Sequence, residues 1–209
     1  MARSKSVLAA LAVAMLAASA SAQDLDRGVQ LYDLCAQCHG AEGAGNPAFL
    51  APSIAGLPQW YVQSQLQKFR AGYRGGHFDD IAGMRMRPMS LALENEADVA
   101  SVAAFVASLT PMPPAPVLAG GDAARGQVLY APCAACHGPD GAGNEALLGP
   151  PLNHASDWYL LTQLANFRAG VRGTKPGDTT GALMRPMSLT LPDEQAMKDV
   201  IAYITTLAK

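Results

Sequence analysis

The chain has 209 residues, half of them hydrophobic and only 15% charged, which excludes an intrinsically disordered protein. The formal net charge is −2, so no basic surface for nucleic acid is expected. Four cysteines are present. In an exported chain they would ordinarily be read as two disulfides, but their spacing argues otherwise.

Residues 1–22 carry Arg3 and Lys5, an apolar run from Val7 to Ala18, and small residues at Ala20-Ser21-Ala22. This is the layout of a secretory signal peptide cut after Ala22. Its apolar run is too short and Ala-rich for a comfortable membrane span. The mature protein is expected to be soluble and exported to the periplasm, with a net charge of −4 once Arg3 and Lys5 are removed.

The next segment, "DLDRGVQLYDLC", spaces Leu25, Val29, Leu31 and Leu34 as a helix would and leads into the first cysteine. "QWYVQSQLQKFRAG" predicts a helix with Tyr61, Leu66 and Phe69 near one face and Gly72 as its stop. "ENEADVASVAAFVASL" predicts another, with Val99, Val102, Val106 and Leu109 in register and acidic residues in its first turn. No alternating strand pattern occurs, so the fold class is all-α.

Shifted by 98 positions, the chain lies on itself without a gap, and close to half of the positions from Asp26 to Leu109 are identical. Trp60-Tyr61 meets Trp158-Tyr159, "FRAG" recurs from Phe69 at Phe167, and "MRPMSL" recurs from Met86 at Met184. "PDEQAMKDVIAYITTL" repeats the last helix, with Pro192 placed for its first turn. Two domains are expected, over 24–111 and 120–209, joined by a semi-stiff, Pro-rich linker over 112–119. At that size a polypeptide core alone is modest, and a large buried cofactor in each would add to it.

All four cysteines fall in the repeat, as Cys35-x-x-Cys38-His39 and Cys133-x-x-Cys136-His137. Such a motif attaches haem c: two thiols add to the two vinyl groups of one haem edge, and the following histidine lies beneath the iron. Neither zinc nor a disulfide pair would require a histidine directly after each second cysteine. Two covalently attached haem c groups are therefore expected. The glycines that follow, Gly40, Gly43 and Gly45, with Gly138, Gly141 and Gly143, suit close approach to a flat ligand.

A second axial ligand is normal in an electron carrier, and methionine sulfur raises the potential relative to a second histidine. His77 and His154 have no histidine partner in the other repeat and are expected to be solvated loop residues. Met84 is also unmatched, whereas Met86/Met184 and Met89/Met187 are both matched pairs. The residues alone leave these two pairs open.

The order of helix, C-x-x-C-H, glycine loop, proline, helix, methionine and C-terminal helix resembles a class I cytochrome c domain. Two in tandem behind a signal peptide resemble the dihaem cytochrome c4 group. That resemblance covers nearly all of the mature chain. It implies Met86 and Met184 as sixth ligands, each seven residues before Leu93 or Leu191. Met89 and Met187 are then left to packing at the haem edge. It also implies that the carbonyls of Pro52 and Pro150 hold the ligating histidines, and that Gly28 packs on Phe105 and Gly126 on Tyr203. Trp60, Tyr61, Trp158 and Tyr159 are candidates to line the pocket or reach propionates. Arg70, Arg74, Arg168 and Arg172 are candidate propionate partners, with a solvated helix face as the plainer expectation.

The function implied is periplasmic electron transfer between respiratory donors and a terminal acceptor through two His/Met-ligated haems, without catalysis. The expected partners are redox proteins: a membrane oxidase, a quinol-oxidising complex or a dehydrogenase, with peripheral association with a membrane complex as one form. The alternatives are an electron-transfer subunit of a larger complex, and a dihaem enzyme with one exchangeable iron ligand.

Overall fold

The computed structural model describes residues 25–207, and the expected leader lies outside them. Among the described residues eight α-helices follow in chain order: α1 (25–39), α2 (Gln59–Arg70), α3 (Ile81–Leu91), α4 (Glu96–Ser108), α5 (Ala123–His137), α6 (Asp157–Arg168), α7 (Thr179–Leu189) and α8 (Glu194–Thr206). Among the described residues there is no named strand, only the isolated bridges Asn46–Ala51 and Asn144–Gly149. No described helix is long and apolar enough to cross a membrane.

Two cores form, one in each repeat. In the first, Val99, Val102 and Val106 of α4 pack with Tyr32 and Leu93. In the second, Met197, Val200, Ile201 and Ile204 of α8 pack with Tyr130, Leu160 and Leu191. Asn95 caps α4 by accepting from the Asp98 amide at 2.9 Å, and Asp193 caps α8 by accepting from Ala196 at 2.8 Å.

The inward face of α1 is not its most apolar one. Leu25, Val29 and Leu34 are 40–48% exposed, whereas Gly28, Tyr32 and His39 are buried. The reason is a close helix crossing. A Cβ on Gly28 would overlap the Ser101 carbonyl oxygen and come within 2.8 Å of the Phe105 Cβ. A Cβ on Gly126 would overlap the Asp199 carbonyl oxygen and lie 3.0 Å from the Tyr203 Cβ. Tyr32 then stacks at a tilt on Phe105, with ring centroids 5.0 Å apart, and Tyr130 on Tyr203 at 5.4 Å. The two phenols donate to the carbonyls of Gly40 and Gly138, at 2.8 and 2.7 Å. Each helix crossing is thereby tied to the loop after a C-x-x-C-H motif.

Helices α3 and α7 are the elements that sequence periodicity missed, because Pro88 and Pro186 stand inside them. Their starts are fixed by Asp80 and Asp178, which accept from the Gly83 and Gly181 amides, each at 3.1 Å. Their ends are held from the neighbouring helix. Arg70 of α2 donates to the carbonyls of Ser90 and Leu93, and Arg168 of α6 to those of Leu191 and Pro192. A cation on the last carbonyls offsets the loss of backbone pairing there. These two arginines are not a solvated face: they clamp the methionine-bearing helices onto α2 and α6.

The segment before α5 is also anchored. The amides of Val117 and Leu118 both donate to Asp157 Oδ2 at 2.7 Å, which ties the proline-rich stretch to the start of α6.

Candidate haem-binding sites and the interface between them

Each C-x-x-C-H motif occupies the last turn of a helix, α1 or α5. Cys35 and Cys133 are half-buried, Cys38 and Cys136 are exposed, and all four thiols are free of disulfide bonds. Burial raises the Cys35 thiol pKa to about 11 and raises that of Cys133 as well.

His39 and His137 are 4% and 6% exposed. Their Nδ1 atoms lie 2.8 Å from the carbonyl oxygens of Pro52 and Pro150. A carbonyl can only accept, so Nδ1 carries the proton and Nε2 keeps its lone pair. Burial lowers both imidazole pKa values against the opposing effect of these bonds. Each motif thus pairs two free thiols with a neutral imidazole whose Nε2 is free to bind a metal. This donor set fits a covalently held haem.

The loop geometry follows from one glycine in each copy. Gly45 has φ +85°, and a Cβ there would lie 2.5 Å from the Pro52 carbonyl carbon and the Ser53 nitrogen. Gly143 has φ +86°, and its Cβ would lie 2.7 Å from the Pro151 nitrogen. Only glycine lets the loop pass this close to the proline whose carbonyl orients the histidine.

Met86 and Met89 lie three residues apart on α3, and Met184 and Met187 on α7; all four are half-buried. In the first domain Arg85 donates to the Phe49 carbonyl at 3.2 Å, joining α3 to the loop that follows the motif. His77 is half-exposed, stacked on Phe78 with centroids 4.6 Å apart. His154 departs from the solvated expectation. It lines a cleft between the domains with Ala55, Leu57 and Asn153, and its Nδ1 is buried without a partner.

The remaining polar residues meet where the domains join. Arg74 and Arg172, 6% and 5% exposed, are buried rather than solvated. Arg74 donates to Gln65 at 2.9 Å and, across the boundary, to the Tyr159 hydroxyl at 3.1 Å. Arg172 donates to Gln163 at 2.5 Å. Their guanidinium carbons stand 4.1 and 4.3 Å over the rings of Phe69 and Phe167. Burial and the like charge of Arg74 pull the Arg172 pKa down to about 10. Burial pushes the Tyr61 phenol up to about 12. The Nε atoms of Arg74 and Arg172 are buried and unpartnered, as are those of Arg87 and Arg185. Buried guanidinium groups with spare donors fit carboxylates such as haem propionates. Sequence reasoning singled out Arg74 and Arg172 but missed Arg87, Arg185, Gln65 and Gln163. All three pairs are matched across the 98-residue shift, and that was the available signal.

All-helical domains that end a helix in two free thiols and an oriented imidazole define a class of proteins that hold haem covalently. The family model described as cytochrome c matches residues 25–110 and again 123–208. The chain belongs to the cytochrome c family, as a tandem dihaem member of the cytochrome c4-like kind, and it carries two covalent haem c groups at Cys35/Cys38 and Cys133/Cys136. It is 33% identical over 201 residues to the thiosulfate dehydrogenase electron acceptor of Stutzerimonas stutzeri (strain A1501), covering 87% of each chain. It is 30% identical over 196 residues to cytochrome c4 of Stutzerimonas stutzeri, covering 90% of each. The crystal structure of reduced recombinant cytochrome c4 from Pseudomonas stutzeri superposes with a TM-score of 0.69 at 26% identity, covering 86% of this chain and 96% of that one. The chain is thus a dihaem electron-transfer cytochrome.

Proposed function

We propose that the protein is a periplasmic electron carrier, exported by a leader over 1–22, with domains 24–111 and 120–209 joined by a linker over 112–119. His39 with Met86 would hold one iron, and His137 with Met184 the other. Haem c, when bound, supplies one-electron exchange between ferric and ferrous iron. The observation that carries the reading is the duplicated bond from a buried histidine Nδ1 to a proline carbonyl, 2.8 Å in both domains. That bond fixes the tautomer, orients the ring and raises the basicity of the free nitrogen. A soft thioether from Met86 or Met184 favours the reduced iron. Arg74 and Arg172 would hold propionate carboxylates at the domain boundary, with Arg87 and Arg185 assisting. With a histidine and a methionine of the protein available to each iron, the chain itself would catalyse no reaction on a small substrate.

The similarity to a thiosulfate dehydrogenase electron acceptor across 87% of both chains favours a dehydrogenase of that kind as electron donor. A terminal oxidase is the matching acceptor, met in free solution or as a docked subunit.

The test is the absorption spectrum of the ferric protein in the red region where methionine sulfur bound to iron absorbs weakly. Met86→Ala and Met184→Ala should each remove about half of that band, as expected for one thioether per haem. Met89→Ala and Met187→Ala should leave it intact. The ferrous wild type should resist carbon monoxide. A missing band, or a wild-type iron that takes carbon monoxide readily, would sink the carrier reading and favour an enzyme with one exchangeable ligand.

A further inference from the structure

The two halves match closely at their haem motifs, but the interface between them is not symmetric in charge. Lys68 of α2 reaches across the boundary, its Nζ 2.6 Å from Asp178 Oδ1 and bonded also to the Thr180 hydroxyl. The Lys68 side chain is only 12% exposed, and that of Asp178 is fully buried. The position that repeats Lys68 in the second domain is Asn166.

The two aspartates at these helix starts are repeat equivalents, yet they are satisfied differently. Asp80 Oδ2 accepts from the Gly75 amide at 2.8 Å, within its own domain. Asp178 Oδ2 has no hydrogen-bond partner, and Asp178 takes the ammonium of Lys68 from the other domain instead. Each aspartate caps the helix that carries a candidate methionine ligand: Asp80 precedes Met86 by six residues, and Asp178 precedes Met184 by six. Arg74 and Arg172 also lie close to Lys68 and are matched by the repeat, but both are drawn electrostatically to Asp80, one from each domain. Arg85 and Lys175 are unmatched, but both are exposed, and water and salt damp their charges.

We propose that Lys68 holds up the second-domain haem potential, by neutralising the buried Asp178 carboxylate at the start of α7, whereas Asp80 at the start of α3 is met by arginines and has no lysine from the other domain. A buried negative charge favours the ferric state, and cancelling it favours the ferrous state, in a medium where charges act strongly. Removing the Lys68 charge should therefore lower the second-domain potential. The inference rests on the two-haem reading above.

The test is an equilibrium redox titration of the holoprotein, followed optically, with the second-domain wave assigned by its selective displacement in Met184→His. Lys68→Gln should lower the second-domain potential, seen as a several-fold change in which site holds the electron, and leave the first nearly in place. Asn166→Lys, which places the ammonium opposite Asp80, should raise the first-domain potential. Thermal melts of both variants show whether the domains remain folded. If Lys68→Gln moves neither potential or both alike, and Asn166→Lys leaves the first unmoved, the inference is overturned while the two-haem carrier stands. No wave moved by Met184→His would overturn the carrier reading and this inference with it.

Discussion

The Nδ1 atom of His39 donates to the carbonyl oxygen of Pro52 across 2.8 Å, and Gly45 runs so close behind that proline that a Cβ would lie 2.5 Å from its carbonyl carbon. Gly45→Ala should therefore displace the carbonyl and strain a residue held at φ +85°. A loss of about 1–3 kcal/mol is expected in the first domain. Chemical denaturation with a tryptophan signal would measure it. A stability equal to wild type would show that the loop relaxes without cost.

The crossing of α5 and α8 is closer than any side chain at position 126 would allow, because Gly126 lies against the Asp199 carbonyl. Gly126→Ala should force the helices apart and cost about 1–3 kcal/mol, the usual range for overpacking. Gly28→Ala should do the same at α1 and α4. Differential scanning calorimetry of the two variants should show lower melting temperatures; an unchanged profile would contradict the crossing described.

The cysteines of the two motifs should act independently. Replacing Cys35 and Cys38 by alanine should leave one haem on the chain, and replacing Cys133 and Cys136 should leave the other. Intact mass and haem absorbance read the stoichiometry directly. Retention of two covalent haems in either double variant would contradict the attachment sites.

Acid should loosen the two helix crossings. Asp98 is held below the usual carboxylate range chiefly by its bond from Arg27, at 2.9 Å. Asp199 is held low first by the Asp122 amide at 2.9 Å, then by Gln195 and Arg125. Their folded pKa values are depressed, so their stabilisation is complete above the unfolded value of about 3.9 and fades as pH falls through the folded values. Asp98→Asn and Asp199→Asn should each flatten the fall of stability below about pH 4. Urea titrations from neutral pH to pH 3 would show it; an unchanged slope would assign the acid sensitivity to other groups.

These two carboxylates also mark where sequence reading stops. Arg27 and Arg125 are repeat equivalents, but Asp98 aligns with Ala196 and Asp199 with Ser101. The acid has moved three residues, about one turn, along the facing helix, and each arginine still finds it. An alignment of the two halves sees a mismatch where the fold keeps an ion pair. Hydrophobic periodicity likewise placed α2 and α4, because Phe69, Val99, Val102 and Val106 do face the core. It placed α1 as a helix but not its buried face, which Gly28 and Tyr32 define. It failed on α3 and α7, where an internal proline hid a helix held by Asp80 and Arg70, or Asp178 and Arg168.

The sequence by itself determined the covalent chemistry. Cysteine and histidine spacing is local, the motif is written twice, and attachment of two haem c groups follows from contiguous residues. The duplication and the helical class were equally legible, since both are patterns along the chain. Only the tertiary structure decided what the arginines do. Arg70 and Arg168 close helix ends, whereas Arg74 and Arg172 are buried together at a domain boundary. Nor could any linear pattern pair Lys68 with Asp178, because residues 110 positions apart meet only when two folded domains dock. The burial that makes such a pair matter is a property of the docked surfaces.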